Sequence, residues 1–202
     1  MELVDPIMNQ SDIMRMAEYL YKHNKRDYVL FEIGINLGMR VTDFTSQKVE
    51  FYREACKQEY VDLTPQKTRR FKKRVRLPIN KDLKVLIENY IKNMDDDEWM
   101  FPSQKGGTPI TRQHIHRIMS NTAKELGVKG NIGCHSLRKT FGYWHYYYNK
   151  DIRLLMEIFN HSSEEVTLRY IGVNEEKKVQ SMDNMKLGLF MENDPKENEG
   201  ER

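Results

Sequence analysis

The chain is poor in residues that staple structure and in runs that cross membranes. Only Cys56 and Cys134 are cysteines among 202 residues. That is too few for a disulfide framework or a cysteine-built zinc site, so a reducing, cytoplasmic setting is expected. No apolar stretch approaches the roughly 18 residues of a spanning helix, and the opening MELVDPIMNQ lacks the apolar centre of a secretory leader. Mean hydropathy is −0.77, and no membrane partner is expected. Phosphate loops, GxGxxG, HExxH and paired CxxC motifs are missing, so neither a cofactor nor a metal is expected. There is no internal repeat and no low-complexity linker. A mass of 24.2 kDa suits one domain with a proper core.

Charge is plentiful and uneven. Charged residues make up 31% of the chain, with a net charge of +3. The segment 192–202 carries a net −3, which leaves +6 on residues 1–191. Seven cations (Lys67, Arg69, Arg70, Lys72, Lys73, Arg74 and Arg76) crowd into positions 66–76. Such clustering is an electrostatic footprint for a polyanion, although a solvated loop would look the same on charge alone.

Hydrophobic spacing gives a mostly helical chain. Asn9-Gln-Ser-Asp offers cap residues before IMRMAEYLYKHN. Further helices are predicted over 26–37, from about 42, and over 81–92, 111–126, 136–149, 152–159, 164–170 and 175–189. Thr111 is the expected cap of its helix and Gly127 its stop. VEFYREA, EYVDLTPQ and RVRLPI read as three short strands by β-branched and aromatic content, with QKTRRFKK as a hairpin between the second and third. The fold class is therefore α+β, mostly α, with a small three-stranded antiparallel sheet. One domain is expected over 1–190, followed by an acidic tail over 191–202 too polar to fold alone.

One segment concentrates reactive groups: CHSLRKTFGYWHYYYNKDIRLLMEIFNHSSEEVTLRYIGV. His135 and Arg138 lie one helical turn apart and can face one cleft. His161 follows, and Tyr170 comes nine positions later. Far upstream, GINLGMRVTD puts Arg40 after a glycine turn, with Asp43 one turn on. His114 and His116 read as a polar helix face. Tyr143, Tyr146, Tyr147 and Tyr148 read as core or helix-face aromatics beside Phe141 and Trp144.

Taken in order, these residues resemble the tyrosine recombinases, the phage-integrase family of DNA strand-exchange enzymes. The resemblance spans roughly residues 4–190. It implies a site made of Arg40 supported by Asp43, Lys67 in QKT, His135 with Arg138, His161 in FNHSS, and Tyr170 in TLRYIGV. The family's usual Leu-Gly before that histidine is Phe159-Asn160 here, and its helical core-binding domain has no counterpart before the catalytic pattern.

The implied function is site-specific recombination of double-stranded DNA for a bacterial mobile element, through a covalent 3′-phosphotyrosyl intermediate and without a metal. A tyrosine hydroxyl is a weak nucleophile, with a pKa of about 10, and needs positioning and charge stabilisation. Two arginines suit the non-bridging phosphate oxygens. Arg69, Arg70, Lys72, Lys73 and Arg74 would contact DNA, and Lys72 and Lys73 rival Lys67 as proton donor. Self-association on DNA through the C-terminal helix, with its Met182, Met185, Leu187 and Leu189 stripe, is the family's habit. The alternative is a truncated recombinase that binds DNA as a regulator without strand exchange.

Overall fold

The structure, a computed structural model, describes residues 4–64, 74–173 and 182. Its elements run α1 (Gln10–His23), α2 (Lys25–Leu37), α3 (Val41–Thr45), α4 (Val49–Gln58), β1 (Tyr60–Leu63), β2 (Val75–Pro78), α5 (Lys81–Ile91), α6 (Arg112–Glu125), α7 (Cys134–Asn149), α8 (Ile152–Phe159) and α9 (Glu164–Tyr170). The helix expected over 175–189 and the tail over 191–202 lie outside the described residues, apart from Met182, whose side chain is exposed.

Short polar side chains start most of these helices by accepting otherwise unpaired backbone N–H bonds. Asn9 accepts from Ser11, Asn24 from Arg26 and Asp27, Asn80 from Leu83, and Thr111 from His114. Asp151 and Ser163 do the same for α8 and α9.

Two strands, rather than three, form the sheet among the described residues. They pair antiparallel, with Tyr60 opposite Pro78 and Leu63 opposite Val75. VEFYREA, expected as a strand, is instead the body of α4. Val49, Tyr52, Ala55 and Cys56 are its buried residues; they recur at helical spacing and point into the core. That pattern outweighs the β-propensity of Val49, Phe51 and Tyr52.

Two apolar clusters fill the interior. The larger joins α1–α7 and the sheet, with Phe44, Tyr52 and Phe101 packed edge to face at its centre. The smaller comprises Tyr143, Leu155, Phe159, Ile171 and Val173. Helix α7 contributes to both clusters. It packs on α2 where Gly34 meets Leu137: a Cβ on Gly34 would sit 2.7 Å from Leu137 Cδ1. Cys56 and Cys134 are both buried and free. No helix among the described residues is long and apolar enough to cross a membrane.

Candidate active site

Arg40 enters the site because the chain reverses just before it. Helix α2 ends at Gly38, whose φ of 60° is left-handed, a conformation that favours glycine. Space demands glycine as well, since a Cβ there would lie 2.2 Å from Phe141 Cδ1. Arg40 then takes an extended backbone as the N-cap of α3, and its side chain makes no cap bond. It is turned instead toward the buried carboxylate of Asp43, at 3.8 Å. Asp43 thus holds one side of a partly exposed guanidinium and leaves donors for another ligand.

His135 and Arg138 come from the first turns of α7. Arg138 is only 5% exposed. Its guanidinium donates to the carbonyls of Gly38 and of Phe159 (3.1 Å for the latter) and lies 4.1 Å from the Phe159 ring centroid. Burial lowers its pKa to about 10, so it stays charged at neutral pH. His135 is half-buried. Burial first, and then the charges of Arg112, Arg138, Lys139 and Arg40, lower its pKa. It is therefore neutral at pH 7 and able to accept a proton.

His161 follows α8. Its position depends on Asn160, which closes that helix at φ 53°, ψ 51°. This is the left-handed conformation that glycine adopts freely and that asparagine tolerates better than most residues. Phe159, in place of the family's leucine, puts its ring beneath Arg138 and within 5.5 Å of the Tyr170 ring.

The proton on His161 can be assigned. Thr167 Oγ1 donates to the Ser163 carbonyl at 3.0 Å. Toward His161 Nδ1, 3.1 Å away, it can only accept. Nδ1 therefore carries the hydrogen, and Nε2 is a bare lone pair while the ring is neutral. Burial, then Arg138 and Arg40, pushes the His161 pKa down to about 4.

Tyr170 ends α9 with its ring edge-on to His161, 5.1 Å between centroids. Burial raises its pKa, while Arg138 and Arg40 pull it back down. An unaided hydroxyl there would stay protonated, and the two guanidiniums are what favour its anion.

The structure thus brings Arg40, Asp43, His135, Arg138, His161 and Tyr170 together from three distant stretches of chain. Lys67, Arg69, Arg70, Lys72 and Lys73 lie outside the described residues. The flanking strand residues Leu63 and Val75 line the same cleft as Arg40 and Arg138. Arg74 is exposed and lies 3.9 Å from Asp62. His116 packs its ring against the Gly133 backbone at the start of α7. Tyr143 and Tyr147 pack edge to face against Trp144 and Tyr148 packs against it at a tilt, as expected of helix-face aromatics. Sequence reading missed Thr167, Asn160 and Lys139. The left-handed Asn160 had a signal in its match to a family glycine; the other two had none beyond proximity to reactive residues.

The fold is that of an integrase-type catalytic domain. The phage integrase family matches residues 7–177, and the chain belongs to that family. It is 39% identical over 176 residues to the probable integrase/recombinase YoeC of Bacillus subtilis (strain 168), covering 87% of this chain and 93% of that one. A tyrosine recombinase of Pseudothermotoga lettingae is 27% identical over 177 residues, covering 87% of this chain and 59% of that one. Among solved structures, XerA recombinase superposes with a TM-score of 0.70 at 18% identity, covering 93% of this chain and 66% of that one. XerH recombinase bound to its difH substrate superposes with a TM-score of 0.63 at 15% identity, covering 92% and 56%. These structural likenesses establish the fold.

Proposed function

We propose that the chain cleaves and rejoins double-stranded DNA at specific sites through a 3′-phosphotyrosyl intermediate. The observation that carries this reading is that Arg40 and Arg138 line one cleft with Phe159, whose ring lies 5.5 Å from that of Tyr170, itself 5.1 Å from the His161 ring. XerH, with the same fold, is seen bound to a DNA substrate before cleavage.

In this mechanism the Tyr170 oxygen attacks the scissile phosphorus while the bond from phosphorus to the 5′-oxygen breaks. The phenol proton passes to His135, held neutral by burial and its cationic neighbours. The departing 5′-oxygen takes a proton from Lys67. Arg40 and Arg138 neutralise charge on the non-bridging oxygens, with fixed donors that need no reorganisation. Asp43 orients Arg40. Rejoining reverses each transfer: a 5′-hydroxyl attacks phosphorus and the tyrosine oxygen leaves. The phosphotyrosyl ester conserves the phosphodiester's energy, so nucleotide hydrolysis is not required, and the two guanidiniums take the role a metal ion would otherwise fill.

His161 contributes with a condition. To donate to phosphate through Nε2 it must first gain a proton, which an arriving phosphate anion favours. Arg69, Arg70, Lys72, Lys73 and Arg74 neutralise the DNA backbone, and self-association on DNA runs through the C-terminal helix.

The test is a nicked suicide substrate, from which the cleaved strand cannot be religated. A covalent protein–DNA adduct on a denaturing gel is expected. Its absence across substrates carrying the protein's own binding site would refute the reading.

A further inference from the structure

We propose that Lys139 is a positioning residue for Tyr170: its ammonium tethers the 4–8 segment to α7 and favours the nucleophile's anion from across the ring. The inference rests on Tyr170 being the nucleophile.

Lys139 follows Arg138 directly but points elsewhere. It is 8% exposed, and a buried ammonium is costly unless it is hydrogen-bonded. Its Nζ donates to the Val4 carbonyl at 2.7 Å and stands 5.4 Å from the Tyr170 ring centroid. Asp5 is the carboxylate whose charge favours this cation. The charged and titratable groups that bear on the Tyr170 hydroxyl are Arg138, Arg40 and Cys134, with the His161 ring at its edge; Lys139 faces the ring.

The Val4 contact belongs to a larger strap. Ile7 N–H donates to Thr140 Oγ1 at 2.8 Å, and Trp144 Nε1 donates to the Ile7 carbonyl at 2.9 Å. Asp5 N–H donates to the Asn131 carbonyl, and its carboxylate accepts from Asn131 N–H, both at 2.8 Å. The same strap covers the turn beyond the nucleophile. A Cβ on Gly172 would meet Met8 Cε at 3.0 Å and Pro6 Cγ at 3.4 Å. Three successive contacts along α7 thus hold a segment that also backs the residues following Tyr170.

This geometry gives Lys139 two effects. Its bond to Val4 seats the strap, which limits where Tyr170 can move. Its charge near an aromatic ring favours the electron-rich phenolate over the phenol.

The experiment combines two readouts on the full chain. The first is the titration of 3-fluorotyrosine placed at 170, followed by its fluorine resonance, which needs neither DNA nor activity. Lys139→Met should move this titration upward by about one pH unit, and Lys139→Arg should leave it in place. Lys139→Gln, which removes the charge but keeps a donor, gives the same answer should the methionine variant not fold. The second is adduct formation, expected to be about 10-fold slower in the uncharged variants, with DNA affinity unchanged and cleavage restored by arginine.

A fluorine titration that stays put in the uncharged variants would overturn the proposal whatever the cleavage rates. So would an arginine variant that titrates like the methionine one. Wild-type protein that forms no adduct while the titration still shifts would instead refute Tyr170 as the nucleophile and leave the Lys139 geometry standing.

Discussion

Phe159 holds Arg138 twice, by accepting a hydrogen bond at its carbonyl and by presenting its ring face 4.1 Å from the guanidinium carbon. Gly38 takes a further donor through its carbonyl. An arginine gripped this way has its planar fork fixed before any phosphate arrives, which is where electrostatic catalysis gains most.

The two arginines should therefore fail differently. Either one changed to alanine should slow adduct formation by about 10²–10³-fold, typical for one lost oxyanion donor. Arg40, partly exposed, should fold normally without its side chain. Arg138→Ala leaves two carbonyls unpaired in a buried place, at about 1–3 kcal/mol each, and its melting temperature should drop as well. Lysine should rescue poorly at both positions, because it lacks the planar fork. Near-native cleavage by Arg40→Lys would contradict the role of Arg40.

Tyr170→Phe removes one hydroxyl and keeps the ring contacts with Phe159 and His161. Fold and DNA affinity should survive while the adduct disappears. Adduct at normal yield from this variant would send attention to Tyr146, Tyr147 and Tyr148.

His161 makes stability depend on pH in a calculable direction. Its pKa falls from an ordinary 6.5 to about 4 in the folded protein. Between those values the unfolded chain binds a proton that the folded chain does not, so stability falls as pH drops from 6.5 toward 4. Thermal melting followed across that window should show a shallower loss in His161→Gln than in the wild type. DNA binding should take up a proton near pH 6, measured by calorimetry in buffers of different ionisation heat, and His161→Gln should lose that uptake.

Lys67 can be separated from its basic neighbours by the leaving group. Losing Arg69, Arg70, Lys72 or Lys73 should weaken DNA binding and lower the salt slope by about one per contact. Lys67→Ala should bind nearly as well yet cleave slowly. A substrate with 5′-bridging sulfur leaves without a proton, so it should restore cleavage by Lys67→Ala but not by Arg138→Ala. Equal failure of both on that substrate would move the proton donor to Lys72 or Lys73.

Much of the site was legible because its chemistry needs particular polar types in a fixed order. Arg40, His135, Arg138, His161 and Tyr170 were placed by their match, in order and spacing, to the tyrosine recombinase pattern, and the structure gathers them at one cleft. Helices with clear caps read well too: α8 and α9 span 152–159 and 164–170 as expected, and Thr111 caps α6. Strand-like composition misled where burial decided, as in α4, whose apolar residues follow the helical period. Lys139 was illegible for a different reason. A lysine in a sequence reads as solvated, and only tertiary packing shows that this one is enclosed.

Helix α7 meets its neighbours at places with no room for a methyl group. A Cβ on Gly142 would lie 2.6 Å from Ile171 Cγ2 and 2.7 Å from Phe159 Cε2, just as one on Gly34 would strike Leu137. Ile171 adjoins Tyr170, and Phe159 seats Arg138. A genetic screen scored by cleavage should accordingly return Gly34→Ala and Gly142→Ala alongside changes in the reactive residues, although neither glycine touches a phosphate. The alignment of attacking and stabilising groups is thus inherited through clearances between helices as much as through the reactive residues.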